Sequence, residues 1–370
     1  MSDLATIHTL LYIGAAQGFL LGIALLTVPR RNLTANRFLA VLLLLFSTMM
    51  VLHVQAEISA DPARDSGPLH HGEIWFLLFG PLFFLYARAL TGKSSRLTWK
   101  DLTHLLPFAF GLTASFSAGA LQPGDPARGF LEVSVLAIMV CQAFVYLWFV
   151  LRLLRRHQKE VRDNYSSLER VSLRWLWFIT IAFVVIWPVA LVVELFKDDP
   201  HEWNAVLLLW AVFMYLLSYM SLRQPEVFRG LSTSEPDGPA AVKRKYEKSR
   251  LSKGEAEMQY GRLQDVMVSE RPYLDCNLTL SSLSRRMGIS VHHLSQIINQ
   301  QGGRNFFEFV NTYRVEEARR LLEDSRSEQL TIAAVGFESG FSSVSSFNAV
   351  FRRLCGSTPS RHRMARRNLR

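Results

Sequence analysis

Residues Leu278 to Asn299 read LTLSSLSRRMGISVHHLSQIIN, and Leu330 to Arg353 read LTIAAVGFESGFSSVSSFNAVFRR. In the first stretch Thr279 is a candidate N-cap, and Leu280, Leu283 and Met287 form an apolar stripe at helical spacing. Gly288 supplies a left-handed stop, Ile289 packs in the turn, and Ser290 caps a second helix whose inward residues are Leu294, Ile297 and Ile298. Two short helices joined by a turn of about three or four residues containing Gly make a helix-turn-helix. The second stretch repeats the pattern. Thr331 caps, Ile332 and Val335 pack, Gly340 ends the helix and Phe341 fills the turn. Ser342 or Ser343 then starts a helix with Phe347, Val350 and Phe351 as its core stripe.

Between the two stretches, FFEFVNTYRVEEARRLL (residues 306–322) reads as one amphipathic helix that fixes the two units relative to each other. Arg314, Arg319 and Arg320 are expected to be solvated, or paired with Glu316, Glu317 and Glu323 on their own helix. Nothing past Glu255 alternates as a strand does, so residues 256–370 are read as an all-helical domain with units at about 279–300 and 331–353.

Upstream, residues 223–255 read as a linker. QPEVFRGLSTSEPDGPAA (224–241) carries Pro225, Pro236 and Pro239, through which no helix or strand runs. A flexible segment of about 18 residues spans only about 25 Å, so it keeps the domain near whatever precedes it. Lys243, Arg244, Lys245 and Lys248 either touch anionic lipid, at about 1 kcal/mol per charge, or form a solvated helix face.

Residues 1–222 have a different solvent in view. The chain is 49% hydrophobic and 19% charged, its mean hydropathy is +0.15, and its net charge of +10 falls mostly in the last third. Disordered and fibrous classes are excluded. The apolar residues gather into seven candidate spans, near Ile7 to Val28, Phe38 to Ala56, Ile74 to Leu90, Leu102 to Leu121, Phe130 to Leu154, Trp175 to Phe196 and Ala205 to Leu222. The fourth, with His104 and Pro107, is the least apolar in character. The first is read as a retained helix, since no basic residue precedes it and no cleavage site follows.

Basic residues in short loops mark the cytoplasmic side. Loops one, three and five hold Arg30, Arg31 and Arg37, then Lys93, Arg96 and Lys100, then Arg152, Arg155, Arg156, Lys159, Arg162, Arg170 and Arg174. Loops two, four and six hold only Arg64, Arg128 and Lys197 among several acidic residues. This alternation places the N-terminus outside and everything after Leu222 in the cytoplasm.

Polar residues within spans are candidates for function. His8, His53, Gln55, Glu132 and Glu194 fall toward the outer ends and outline a candidate signal pocket, or else they sit at headgroup level or satisfy one another between helices. Pro188 is expected to kink the sixth span, and Trp75, Trp99, Trp175 and Trp203 read as interfacial anchors. Cys141, Cys276 and Cys355 form no CxxC pair, so neither a disulfide framework nor a metal site is expected. No nucleophile triad, HExxH pair or Gly-rich phosphate loop is present, so neither an enzyme nor a cofactor is expected.

The segment from about Tyr273 to Arg363 resembles the C-terminal DNA-binding domain of the AraC/XylS family of bacterial transcription regulators. The resemblance rests on GFSSVSSFNAVFRRLCGSTPS (340–360), with its Gly-Phe, Phe-Asn, Phe-Arg-Arg, Gly and Thr-Pro elements. The layout with spans ahead of it is similar to the membrane-embedded members of that family. The resemblance implies two recognition helices entering successive major-groove segments about 34 Å apart. His292, Ser295 and Gln296 would then face bases from the first helix, and Val344, Ser345 and Ala349 from the second. Gln296 and Ala349 stand where the family often has Arg, so the first unit is expected to carry most sequence readout. Gly336 replaces a commoner Ala, at about 1 kcal/mol of helix propensity, and permits closer packing. Arg285, Arg286, Arg304, Arg352, Arg353, Arg361 and Arg363 are the candidate phosphate contacts.

The expectation is an all-α protein: a seven-helix transmembrane bundle followed by a cytoplasmic DNA-binding domain, resident in a bacterial inner membrane. Its expected partners are double-stranded DNA, the lipid bilayer, RNA polymerase and an unidentified small-molecule or membrane signal, with pairing into a homodimer left open. The competing readings are a transporter-like membrane protein, or a structural tether, carrying a DNA-binding domain; no internal duplication of the transporter kind is visible.

Overall fold

The computed structural model describes residues 2–27, 33–59, 73–91, 98–122, 124–168, 173–196, 203–223, 253–324 and 329–367. The regular elements among the described residues are helices, fourteen α-helices with short 3-10 turns between some of them. The chain divides into two compact units, Met1–Arg156 with Leu173–Phe228, and His157–Ser172 with Arg229–Arg370. The loop charges Arg30, Arg31, Lys93, Arg96, Arg64 and Lys197, and the segment 224–252 with its basic cluster, lie outside the described residues.

The first unit contains α1 (Ser2–Thr27), α2 (Leu33–Ser59), α3 (Phe76–Leu90), α4 (Leu106–Gly119), most of α5 (Pro126–Asn164), α6 (Arg174–Phe196) and α7 (Trp203–Arg223). Helix α1 lies along α2 and α7, and α2 also packs on α3. Their shared core is aromatic: Trp210 is buried with its ring 5.8 Å from Phe79, 5.7 Å from Phe183 and 5.3 Å from Phe213. Edge-to-face pairs at these separations each add about 0.5–1.5 kcal/mol beyond their buried area. The outside of the unit is apolar as well. Leu20 is 70% exposed and Phe130 74%, and Phe116 and Phe178 are comparably bare.

Four described helices are long and apolar enough to cross a membrane: Leu4–Thr27, Leu33–Ser59, Pro126–Asn164 and Asn204–Ser221. Helix α3 has only 15 residues, about 22 Å at about 1.5 Å per residue. The fourth expected span begins as a 3-10 stretch, Trp99–Leu105, and only then becomes the 14-residue α4. Pro107 sits at the first turn of α4, where its missing N–H costs nothing. Helix α6 runs through Pro188 as one element. Helix α5 corrects the reading of loop five: its 39 residues carry Arg155, Arg156, Lys159 and Arg162 in helical conformation to Asn164. Lys, Arg, Glu and Gln are good helix formers, and charge alone does not end a helix.

The second unit is built from α8 (Lys253–Ser269), α9 (Leu280–Met287), α10 (Val291–Gly302), α11 (Phe306–Glu323), α12 (Ile332–Glu338), α13 (Val344–Cys355) and α14 (Pro359–Arg367). It has two cores, and α11 serves both. Phe306, Phe309 and Val310 close one around Leu263, Met267, Leu283, Leu294 and Ile298. Phe307, Val315, Ala318 and Leu322 close the other around Val335, Phe341, Phe347 and Phe351. One amphipathic helix with two apolar faces therefore connects the two helix pairs. Residues 157–168, which the sequence places in a loop of the first domain, belong with this unit.

Candidate nucleic-acid interface

Each helix pair is set by its caps. The Thr279 hydroxyl accepts from the Ser282 backbone at 3.1 Å, and the Ser282 hydroxyl accepts from Thr279 N–H at 3.0 Å, a reciprocal box at the start of α9. Gly288 ends α9 at φ +69°. Ser290 then accepts from His293 N–H at 3.1 Å and starts α10 at a new angle. In the second pair Thr331 caps Ala334 and Ser343 caps Ser346, at 3.1 and 3.2 Å. Gly340 turns the chain between them at φ +88°. A Cβ on Gly336 would lie 2.7 Å from a ring carbon of Phe347, so glycine there does let α12 sit close on α13.

On the outer face of α10, His292 is exposed while Ser295 and Gln296 are half-buried. Gln296 donates to Gln300 at 3.1 Å and Asn299 to the Ser295 carbonyl at 2.8 Å, which orders this row of amides along one helix face. On α13, Ser345 and Ala349 are exposed and Val344 is partly covered. All six candidate base-facing residues therefore avoid the two cores and stand on the two helices that follow the turns.

The candidate phosphate contacts differ in how they are held. Arg285, Arg352 and Arg361 are exposed. Arg286 pairs with Glu270 at 2.9 Å, and Arg304 donates to the Thr312 hydroxyl at 2.8 Å. Arg353 lies 3.7 Å from Glu308 and over the ring of Phe307, while Arg363 donates to the Leu330 carbonyl at 2.8 Å.

The arginines of α11 separate into two kinds. Arg319 pairs with Glu316, and Arg320 with Glu317, on their own helix as expected. Arg314 does not. It is 1% exposed and donates to four oxygens: the carbonyls of Tyr273 (2.8 Å), Ser166 (2.9 Å) and Asp275 (2.8 Å), and the Ser166 hydroxyl (3.0 Å). Burial draws its pKa down to about 10. A buried guanidinium needs acceptors for its five N–H groups, and irregular backbone with unused carbonyls supplies them. Sequence spacing gave no sign of this, because the acceptors come from other parts of the chain.

In the first unit the five candidate signal residues have separate fates. His8 bonds Glu57 at 2.7 Å, and His53 bonds Asn204 at 3.1 Å. Asn204 in turn donates to Glu57 at 3.1 Å, so α1, α2 and α7 meet in one polar cluster at a common end. Glu57 and Asn204 were not among the sequence candidates. Gln55 is exposed, and Glu132 pairs with Arg128 one turn away on α5 at 3.0 Å. Glu194 lies in α6, and its side chain is outside the described residues. Among the described residues no group of three or more His, Cys, Asp or Glu could hold a metal ion. Arg88, inside α3, forms a bidentate pair with Asp101 at 2.7 and 2.9 Å.

Residues 283–365 match the helix-turn-helix domain family. The HTH-type transcriptional regulator GlxA of Rhizobium meliloti (strain 1021) is 33% identical over 90 residues, 24% of this chain and 25% of that protein. An uncharacterized HTH-type transcriptional regulator of Staphylococcus aureus (strain COL) is 36% identical over 87 residues, 24% of this chain and 11% of that protein. This chain thus spans a quarter or less of the length of these curated relatives. No solved structure matches it. The last third carries an AraC-type helix-turn-helix domain of the kind found in DNA-binding transcription regulators.

Proposed function

We propose that the chain is a membrane-integrated transcription regulator that reads promoter DNA through two helix-turn-helix units and responds to a signal at the membrane. The observation that carries the reading is the pairing of two solvents in one chain. The first unit presents large apolar side chains on its outside, a surface suited to lipid rather than water. The second presents two capped helices with polar outer faces and a surround of arginines.

In this reading residues 1–222 cross the inner membrane seven times, with α3 and α4 as short spans among longer neighbours and the N-terminus outside. Residues 223–255 link to a cytoplasmic domain, 256–370. His292, Ser295 and Gln296 face bases from α10, and Val344, Ser345 and Ala349 from α13. Arg285, Arg352 and Arg361 engage phosphate directly, whereas Arg286, Arg304, Arg353 and Arg363 must exchange an internal partner for it. The signal acts at the outer end of α1, α2 and α7, where His8 and His53 meet Glu57 and Asn204; it must favour one helix arrangement over another. RNA polymerase is the cytoplasmic partner.

The test is recovery and binding together. Full-length protein should remain with membranes after a high-salt wash. Once in nanodiscs it should bind duplex DNA with log affinity falling by about 0.9 per phosphate contact for each decade of salt. A freely soluble full-length chain, or binding that ignores salt, overturns the reading.

A further inference from the structure

Helix α5 ends at Asn164, and the residues that follow, Tyr165 to Leu168, are seated in the second unit. Tyr165 forms an antiparallel bridge with Thr279, the N-cap of α9. Ser166 is 1% exposed. Its N–H and hydroxyl both donate to the Leu278 carbonyl, at 3.3 and 2.7 Å, while its own carbonyl accepts from Arg314 and from Asn311 at 2.9 and 3.2 Å. The Ser167 hydroxyl lies 2.6 Å from that of Ser342, in the turn of the second helix pair, and Leu168 packs against the second core.

Four consecutive residues thus touch the first helix pair, the connecting helix and the second pair. Two of the four acceptors of Arg314 belong to Ser166, and the same guanidinium lies over the ring of Phe341 in the second turn. Withdrawing the segment would leave a buried cation short of half its hydrogen bonds, a costly state. The segment is therefore part of how this unit is held together, although it enters from α5.

We propose that Tyr165–Leu168 is a strap, carried by α5 into a seat formed by Leu278, Asn311, Arg314 and Ser342, and that its seating sets the relative placement of the two helix-turn-helix units. The proposal rests on the regulator reading above and adds to it a covalent route by which motion of α5 reaches both DNA-facing helices. A seated strap holds the two helices in the arrangement that engages both half-sites at once. An unseated strap leaves each unit able to touch DNA but not in register with the other.

The experiment uses the full chain in lipid nanodiscs and, as probe, a duplex selected from a random pool by the wild-type protein. Leu168→Asp should weaken binding to the selected duplex by about tenfold, through lost preorganisation, and leave binding to unselected duplex unchanged. A second variant guards against simple misfolding. With Cys141, Cys276 and Cys355 replaced by Ser, the pair Ser167→Cys and Ser342→Cys should crosslink on oxidation, because the native hydroxyls already lie 2.6 Å apart. The crosslink should preserve affinity for the selected duplex and restore it in the Leu168→Asp background. The strap is overturned if Leu168→Asp binds the selected duplex as the wild type does, if the cysteine pair fails to crosslink, or if affinity for both duplexes falls together without rescue. A wild-type chain that selects no duplex at all defeats the regulator reading itself, a distinct result.

Discussion

The backbone carbonyl of Tyr273 occupies the space that a Cβ on Gly340 would need, and the Cα of Leu274 lies only 2.9 Å from the same point. Gly340 also sits at φ +88°, so glycine is required there twice over, for conformation and for contact. The turn of the second helix pair is pressed against the chain that leads into the first.

Gly340→Ala should therefore destabilise the second unit by about 1–2 kcal/mol for the left-handed backbone and about 1–3 kcal/mol more for the collision. Hydrogen exchange in α12 and α13 of the full chain is the measurement. Unchanged protection would mean that the turn does not pack on Tyr273 in solution.

Gln296 and Arg352 should separate readout from affinity. Gln296→Ala is expected to weaken binding to a selected duplex by about 1–3 kcal/mol and to relax preference at one base pair. Arg352→Ala should weaken selected and random duplexes alike and reduce the salt slope by about 1. If both variants lose affinity equally on both duplexes, α10 is not the reading helix.

Topology has its own test. A reporter fused after Leu222 should behave as cytoplasmic, and one inserted in Asp61 to Gly67 as periplasmic. The opposite pattern would invert the bundle and remove the second unit from DNA.

Asn204, at the start of α7, bonds both His53 and Glu57 of α2. Asn204→Leu should loosen the contact between these helices by about 1 kcal/mol, the scale of polar pairs in membrane bundles. Thermal unfolding in nanodiscs should register the loss, and a promoter reporter should shift its basal output. An unaltered reporter together with an unaltered melting profile would assign the cluster no part in signalling.

Glu317 is buried on α11 and accepts from Arg320 at 2.7 Å and from Arg271 at 2.8 Å. Arg320 first, and Arg271 with it, hold its carboxyl below the ordinary value of 4.5. A depressed acid contributes stability that is complete above its ordinary pKa and is lost as pH falls through the lowered one. Hydrogen-exchange protection of α11 should drop on acidification below about pH 4.5, and Glu317→Gln should lower protection at neutral pH while flattening that dependence. A variant with the wild-type acid profile would place the sensitivity elsewhere.

The last third was legible because its signals are local. Thr279, Ser290, Thr331 and Ser343 cap within three residues, Gly288 and Gly340 turn where they stand, and the apolar stripes repeat every turn. The apolar stretches of the first part were legible for the same reason, though where each became α-helix was not: Pro107 delayed α4, and helix-forming charged residues prolonged α5.

What sequence alone determined, then, is where most of the helices lie, which faces are apolar and where two helix pairs bend. Tertiary structure alone decided that Arg314 is buried rather than solvated, that Glu57 and Asn204 complete a cluster with His8 and His53, and that Ser166 belongs with the second unit. The physical reason is range. A cap or a stripe is satisfied within a turn or two of its own chain, whereas the guanidinium of Arg314 finds its oxygen 148 residues away, and no local pattern announces a partner brought near only by folding.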